Sequence, residues 1–480
     1  MSRWEGPGKP LNERSYISRA LAGTRSPSIL GWLLAWTLVE SGFSANDTLS
    51  SHEVEYVLPV SQVWSGHPVG FYLLTTPPFQ FVAFYDAQRQ MIVGSREIGQ
   101  KQWSFVELPE KLGWDSHNYV TLAMDDKGIL HLAGNMHCVP LIYYRTLEPR
   151  RIDTFQRVPA MLGSKEDRCT YPRFFRGPTH EFLFTYRDGS SGSGDQIYNI
   201  YNTEKREWKR LLDEPLTSGQ GKMNAYHCGP VLGPDGYYHL SWVWRDHGGC
   251  ESNHDLSYAR SKDLLRWERS DAQSLSLPIT FDTAEIVDPV PPKGGIINGN
   301  LRIGFDSANR VILSYHKFDE HGHTQIYNAR REDPGWKLYQ TSQWDYRWEF
   351  SGGGSIPFEI RLSSVSVAGE GHLQQGYSHP REGSGTWLLD ENTLLPVGQV
   401  KTPPSNPSEL DRPRDSHPHI QVKWCHDSGA SGSSELHYRL RWETLGHHRD
   451  LAREGPLPAP SALELYCFKK RKIDKEVVAP

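Results

Sequence analysis

The segment from Ser116 to His137 reads SHNYVTLAMDDKGILHLAGNMH, two apolar strand-like runs separated by the turn sequence DDKG. This pattern predicts a β-hairpin. Residues equidistant from a hairpin turn face each other across the strand pair, so His117 and His137 should meet at the open end. His131 lies nearer the turn, and we expect it to be structural. The hairpin therefore predicts a pair of histidines at one edge of a sheet.

Short strand-like runs recur from about residue 55 onward, separated by turns rich in Gly, Asp, Asn and Pro. A turn glycine followed by His-Leu occurs three times, at 128–132, 236–240 and 371–373. A Tyr with a nearby Arg occurs four times, at 143–145, 258–260, 327–330 and 437–439. Self-similar β-units are typical of a propeller or a β-solenoid, and units of this length suit four-stranded propeller blades. We predict one all-β propeller domain over residues 50–470; two β-sandwiches with chance similarity are the alternative.

Composition restricts the class of partner. The formal net charge of −5 over 480 residues gives no basic footprint, so we expect no nucleic-acid partner. An anionic ligand would need a local basic pocket instead. The six cysteines have no paired spacing and are too few for a disulfide scaffold.

The two chain ends differ from the rest. Residues 28–39, SILGWLLAWTLV, are too few for a membrane span but fit the apolar region of a signal peptide with an exit near Ala45. We therefore expect residues 1–45 to be an export segment and the protein to be secreted or periplasmic, without a stable membrane span. A buried N-terminal helix is the alternative. Residues 471–480 are predicted to be a charged, solvated tail.

The two hairpins after the first one repeat its placement of polar residues. Around the turn RGPTH, Tyr171 lies approximately opposite Arg187. Around GPDG, Asn224 and Tyr226 lie near Arg245. If these hairpins are the inner strands of successive blades, their open ends line one mouth of the channel. That arrangement predicts a concave, locally basic site suited to an anionic substrate.

These residue types favour one reaction over another. His, Tyr and Arg without paired carboxylates argue against ordinary glycoside hydrolysis. They suit β-elimination at a uronic acid, in which Arg187 neutralises the carboxylate. A neutral His takes the adjacent proton, and a Tyr protonates the leaving glycosidic oxygen. We assign His117 as base and Tyr171 as acid; the reverse, or one residue in both roles, stays open. Each residue alone also fits a structural role, and their joint placement favours function.

A second polar cluster lies between residues 227 and 254. Imidazole and sulfur ligands are typical of zinc sites, and we predict His239, Cys250 and His254 as ligands of a structural zinc ion, with His247 as an alternative ligand. The spacings match no standard motif, so partly buried histidines and free thiols fit equally well. We expect no organic cofactor.

Four segments of the sequence are similar to those of BNR-4 repeat proteins: HNYVTLAMDDKGILHLAGNMH, TYPRFF with FTYRDGSSGSG, YYHLSWVWRD with NHDLSYARS, and WEFSGGG. This family includes seven-bladed propeller ulvan lyases of polysaccharide lyase families 24 and 25. The resemblance covers roughly residues 55–400 and implies seven blades and lyase activity. It implies catalytic roles for His117, Tyr171 and Arg187, a substrate contact for His137, and positions near substrate and metal for Asn253 and His254.

The sequence thus predicts a secreted, monomeric lyase of an anionic, ulvan-like polysaccharide. The predicted catalytic residues are His117, Tyr171 and Arg187, and the predicted substrate-binding residues are His137, Asn118, Arg245 and Asn253. Two alternatives remain. A sialidase-like hydrolase is suggested by SKDLLRW (261–267), which resembles an Asp box but lacks its turn glycine. A non-catalytic carbohydrate-binding propeller would bind saccharide without forming products.

Overall fold

A computed structural model describes residues 52–400 and 406–470. Their regular structure consists of 32 β-strands and two 3-10 helices, Ile152–Thr154 and Cys250–Ser252, so the all-β prediction is confirmed. No helix within these residues is long and apolar enough to cross a membrane. The predicted export segment (1–45) and charged tail (471–480) lie outside the described residues.

The strands form seven separate antiparallel sheets. The chain begins with β1 (His52–Val63) and continues with a sheet of β2 (Tyr72–Thr76), β3 (Phe79–Tyr85), β4 (Gln90–Glu97) and β5 (Ser104–Lys111). The next sheet contains β6 (Val120–Met124), β7 (Leu130–Gly134), β9 (Tyr143–Thr146) and β10 (Phe155–Arg157). The third contains β8 (His137–Val139), β11 (Cys169–Arg176), β12 (Phe182–Ser190), β13 (Ser193–Asn202) and β14 (Glu207–Arg210).

The remaining strands complete four further sheets. The first has β15 (Asn224–Leu232), β16 (Tyr238–Arg245), β17 (Asn253–Ser261), β18 (Trp267–Glu268), β19 (Ser274–Leu275) and β20 (Glu285–Asp288). The second has β21 (Arg302–Phe305), β22 (Val311–Phe318), β23 (Thr324–Arg331) and β24 (Trp336–Gln340). The third has β25 (Arg361–Leu362), β26 (Ser366–Gly369), β27 (His372–His379), β28 (Gly383–Asp390) and β29 (Pro396–Gln399). The last joins β30 (Ile420–His426), β31 (Leu436–Leu445) and β32 (Ser461–Lys470) to β1.

Neighbouring sheets pack side by side through their first strands. Strand β6 contacts both β2 and β11, β15 contacts β21, and β30 contacts β2. A parallel bridge joins Leu73 to Asp427. One hydrophobic cluster, which includes the fully buried Leu73, Leu122 and Leu465, is shared by three sheets. Because β1 pairs with β32, strands from the two ends of the described chain lie in one sheet.

The first hairpin has the predicted register. Val120 lies opposite Gly134 and Met124 opposite Leu130, and beyond the paired residues the rings of His117 and His137 stack. The pairing of β6 with β7 ends at Val120 and Gly134. The chain leaves this sheet after β7, and the next strand, β8, pairs with β11 of the following sheet. The open end of the hairpin is therefore the junction between two sheets, which the sequence did not predict.

The two repeated motifs are structural. His131 and Tyr143 share a hydrogen bond of 2.6 Å between Nδ1 and the hydroxyl, and His239 and Tyr258 share an equivalent bond of 2.6 Å. The second ring nitrogen of each histidine faces the aspartate of the preceding turn. In the third copy, at 371–373, the histidine binds a nearby backbone carbonyl instead. His131 is fully buried, so the expectation of a structural role is confirmed.

Candidate active site

Asp115 joins the two histidines of the first hairpin. Its Oδ1 lies 2.6 Å from Nδ1 of His117, and its Oδ2 is hydrogen-bonded to Nδ1 of His137. The two rings stack with their centroids 4.2 Å apart. An ionised carboxylate only accepts hydrogen bonds, so each Nδ1 carries its proton and each Nε2 is left free of Asp115. The histidine side chains are 21% and 29% exposed, which leaves them accessible to a ligand.

Charges in this group follow from the shared carboxylate. Burial acts to raise the pKa of Asp115, but the hydrogen bonds from His117 and His137 outweigh it and hold that pKa well below its usual range. Burial acts to lower the pKa of His137, but hydrogen bonds to Asp115 and Cys138 raise it to about 9. His137 is therefore an imidazolium at neutral pH.

Tyr171 reaches this pair because β11 is irregular there. The pairing of β11 with β12 shifts between Thr170 and Arg173, and Tyr171 between them has φ +59°. Bulges of this kind re-aim side chains at the edges of functional sites. The Tyr171 ring lies edge-on to His117 with 5.5 Å between the ring centroids. Burial raises the pKa of Tyr171 far above its ordinary value, so the hydroxyl keeps its proton.

Arg187 lies beneath two tyrosine rings. Its Cζ is 5.0 Å from the ring centroid of Tyr171 and 5.9 Å from that of Tyr226. Its guanidinium donates to the Tyr226 hydroxyl (3.3 Å), to Oγ1 of Thr170 (3.0 Å) and to Sγ of Cys138 (3.3 Å). In the described part of the chain, no carboxylate lies within ion-pair distance of this guanidinium. Arg187 is thus a buried cation whose acidic neighbours are the Cys138 thiol and two tyrosines rather than a carboxylate.

The burial of Arg187 corrects one expectation. We predicted that Arg187 would bind a substrate carboxylate with two hydrogen bonds, but the residue is 1% exposed and its outer nitrogens already have neutral partners. Its charge acts on the neighbouring tyrosines instead. Burial acts to raise the pKa of Tyr226, but the charges of Arg187 and Arg245 outweigh burial and lower it.

The third hairpin, β15–β16, has the predicted residues at its open end. Asn224 lies opposite Arg245, and both are buried. Arg245 donates from Nε to the carbonyl of His247 at 3.0 Å, and its Cζ lies 5.4 Å from the centroid of the Tyr226 ring. Tyr226 is therefore flanked by two guanidinium groups.

Two further predicted substrate contacts have different environments. Asn118 is partly exposed in the turn before β6, where its carbonyl accepts a 2.6 Å hydrogen bond from the Tyr85 hydroxyl. Asn253 is fully buried, and its side chain donates to the carbonyl of Cys250 at 2.6 Å. The prediction that Asn253 touches substrate is therefore wrong, because the residue fixes the short helix at 250–252 from inside.

The predicted zinc ligands do not come together. His239 pairs with Tyr258 and the turn aspartate, whereas His254 lies opposite Trp244, five positions and roughly 16 Å further along β16. Both ring nitrogens of His254 face neighbouring aspartates. Cys250 belongs to a hydrophobic cluster that contains neither of these histidines. These three residues form no common site, and the prediction of zinc there is corrected.

One group in the described residues has donor atoms close enough for a metal ion. The donor atoms of Asp115, His117 and His137 all lie within 4.8 Å of one another. Both imidazole Nδ1 atoms are hydrogen-bonded to the two oxygens of the Asp115 carboxylate. The hydrogen bonds to Asp115 account for this geometry without an ion.

Three residues of this site were not predicted from the sequence. Asp115 precedes His117 by two positions, and this spacing could have identified it as the carboxylate that orients the histidine. Cys138 follows His137 directly, and its role depends on Arg187 in another strand. The carboxylate of Asp450 lies 3.6 Å from Nδ1 of His117. Asp450 is more than 300 positions away along the chain, so no local sequence pattern could predict this contact.

With this geometry in place, comparison with known proteins defines the class of the chain. It belongs to the BNR repeat-containing family, whose model matches residues 79–344. The match includes every residue from Asp115 to Arg245 described above, and the family resemblance predicted from the sequence is confirmed. No curated protein sequence matches the chain.

Solved structures with a similar fold include two polysaccharide lyases. The crystal structure of polysaccharide lyase Uly1 superposes with a TM-score of 0.56 at 13% identity, over 87% of this chain and 99% of that chain. An ulvan lyase described as a new family of polysaccharide lyase, PL25, superposes with a TM-score of 0.55 at 12% identity, over 86% and 97%. The same lyase bound to -[GlcA(1-4)Rha3S]- gives the same values. At these identities the similarity establishes the fold.

Proposed function

We propose that this protein is a polysaccharide lyase that cleaves a uronate-containing polysaccharide, with ulvan as the leading candidate, by β-elimination. One observation carries the proposal. The described residues offer no carboxylate partner to the buried guanidinium of Arg187, which lies next to a phenol and a histidine pair. A buried cation is costly unless an anion compensates it. A uronate carboxylate bound by His137 would compensate part of this charge through space, without direct contact with the buried guanidinium.

The chemistry divides among four side chains. The imidazolium of His137 binds the uronate carboxylate, and the positive charge of Arg187 adds to its neutralisation, which acidifies the proton on the adjacent carbon. The free Nε2 of His117 removes that proton. The C–O bond to the leaving sugar breaks as the C=C bond forms, and the Tyr171 hydroxyl protonates the leaving oxygen. His117 then returns its proton through solvent, and the Tyr171 phenolate is reprotonated.

The protonation states support this division of roles. His117 directs Nδ1 to Asp115, so Nε2 is the ring nitrogen that is available to act as the base. Tyr171 has a raised pKa and keeps its proton, as an acid must. The similarity in fold to an ulvan lyase whose bound ligand contains GlcA agrees with a uronate substrate.

The arrangement of sheets supports a finer description of the fold. We infer that the seven sheets are the blades of a closed seven-bladed propeller, with β1 and β32 joining its ends. In such a propeller, the starts of β6, β11 and β15 lie at one mouth of the channel. Because a polysaccharide is too large to enter a cell, this function also fits the export predicted from residues 1–45.

The direct test is an absorbance assay on several polyuronates, ulvan included, in the ultraviolet band of unsaturated uronates. The wild-type protein should produce a rising signal on at least one of them. His117→Ala should abolish it without unfolding the protein. A flat signal for the wild type on every polyuronate would exclude the lyase.

A further inference from the structure

Asp450 occupies the connection between β31 and β32, far along the chain from the other residues of the site. Its side chain is only 8% exposed. The carboxylate accepts hydrogen bonds from the Ser116 amide (3.0 Å) and hydroxyl (2.8 Å). It also accepts from the Ser355 amide (2.7 Å) and from Nε2 of His67 (3.2 Å). One carboxylate thus satisfies donors from three other connections.

These donors come from three different connections between strands. His67 lies between β1 and β2, Ser116 between β5 and β6, and Ser355 between β24 and β25. Connections between strands are ordinarily the more mobile parts of a fold. Charge-assisted hydrogen bonds to a single buried anion therefore link three segments that lie far apart in sequence, and the Ser116 and Ser355 hydroxyls add a direct hydrogen bond between two of them.

The anion keeps its charge. Burial acts to raise the pKa of Asp450, but hydrogen bonds from His67 and Ser116 and the nearby His117 outweigh it and lower the pKa far below its ordinary value. A buried ionised carboxylate is stable only while its hydrogen bonds are made. The segments around it are consequently restricted to the geometry that makes them.

Ser116 connects this network to the proposed chemistry. It lies between Asp115 and His117, and Asp450 fixes both its amide and its hydroxyl. The Oδ2 of Asp450 also lies 3.6 Å from Nδ1 of His117. This is the same ring nitrogen that is hydrogen-bonded to Asp115 at 2.6 Å. A displacement of the Ser116 backbone would therefore move both the base and the carboxylate that orients it.

We propose that Asp450 is a positioning residue that holds the segment 115–117 in its reactive geometry. This proposal rests on the proposed lyase function for its effect on rate, but the restraint on the segment does not depend on it. Misplacement of a reacting group by about 1 Å can cost on the order of 100-fold in rate. A residue that acts in this way changes kcat far more than KM.

The test compares Asp450→Asn and Asp450→Ala with Asp427→Asn. Asp427 is a matched control, because its carboxylate also accepts backbone hydrogen bonds, from Thr75 (2.8 Å) and Gly429 (2.9 Å), in the connection between β30 and β31. Amide hydrogen exchange, kcat, KM and the thermal midpoint are measured for each. The Asn variant retains volume and one acceptor oxygen, so it remains informative if the Ala variant does not fold.

The expected result is faster exchange of the Ser116 amide in the order wild type, Asn, Ala, with exchange in β7 unchanged. The kcat should fall in the same order, by about 100-fold for the Ala variant, with little change in KM. Asp427→Asn should leave both unchanged. Unchanged Ser116 exchange in both Asp450 variants would overturn the proposal. An inactive wild type would instead overturn the lyase function, and the exchange result would still decide the role of Asp450.

Discussion

Tyr171 has a backbone conformation that few non-glycine residues adopt. Its φ of +59° is unusual for a non-glycine residue, and the following Pro172 restricts the chain further. Strained conformations of this kind persist where surrounding contacts over-determine them. Here the ring packs between His117 and Arg187. The sequence placed Tyr171 approximately opposite Arg187, whereas Arg187 pairs with Thr170 and Tyr171 lies in a bulge that the sequence did not predict.

Replacement of Tyr171 by Phe isolates the hydroxyl. The ring contacts remain, so the thermal midpoint should stay close to that of the wild type. Without a proton donor for the leaving oxygen, the rate should fall by about 10²- to 10⁴-fold. Steady-state kinetics on the best polyuronate measures this. Wild-type activity in Tyr171→Phe would remove the residue from the role of acid.

Cys138 should react selectively with alkylating reagents. Burial acts to raise the pKa of its thiol, but a hydrogen bond to His137 and the charge of Arg187 lower it to about 7. Burial raises the pKa of Cys169 and Cys425. Iodoacetamide near neutral pH should therefore label Cys138 first, as peptide mass spectrometry would show, because the thiolate is the nucleophile. Labelling of Cys169 or Cys425 ahead of Cys138 would contradict this account.

The charge of His137 predicts an alkaline limit to activity. Its pKa of about 9 means that the imidazolium is present below that pH and is lost above it. If this cation binds the carboxylate, kcat/KM should fall as the pH rises through about 9. Asp115→Asn removes the carboxylate that raises this pKa, so the fall should move to lower pH. An alkaline limb that is identical in the variant would contradict the assignment.

At the scale of the element, the hairpin β6–β7 has two ends with separate tasks. Its turn end carries His131, which is buried and hydrogen-bonded to Tyr143. Its open end carries His117 and leads to His137. Alternation and turn symmetry were sufficient to predict this division, because both are local properties of a hairpin. The transfer of β8 to the next sheet was not predictable, because it depends on pairing with β11.

His131→Ala should affect stability rather than chemistry. It removes a fully buried ring, and the Tyr143 hydroxyl, which also accepts from Trp208, loses its hydrogen bond to His131; together these changes should lower the free energy of unfolding by about 2–4 kcal/mol. Activity per folded molecule should stay at the wild-type level. The control is His372→Ala, the partly exposed third copy of the motif, which should cost about 0.5 kcal/mol or less. Denaturant unfolding measures both, and equal losses would contradict the distinction.

At the scale of the whole molecule, the sequence predicted strands, turns and repetition, because all three follow from local composition. It did not predict that β1 would pair with β32 or that Asp450 would reach Ser116, because both contacts join distant parts of the chain. The predicted zinc site failed for the converse reason, because closeness in sequence did not bring its residues together in the fold. His239 and His254 are close in sequence but lie on two strands at positions far apart along the sheet. The predicted monomer and exported segment stay predictions.

The central claim is that the site breaks a glycosidic bond by elimination rather than hydrolysis. Mass spectrometry and NMR of the products formed from the best polyuronate distinguish the two. Elimination should give a new non-reducing end with a C=C bond, lighter by one water than the product of hydrolysis. Saturated products that have gained a water would contradict the account, as would intact substrate after incubation with every polyuronate tested.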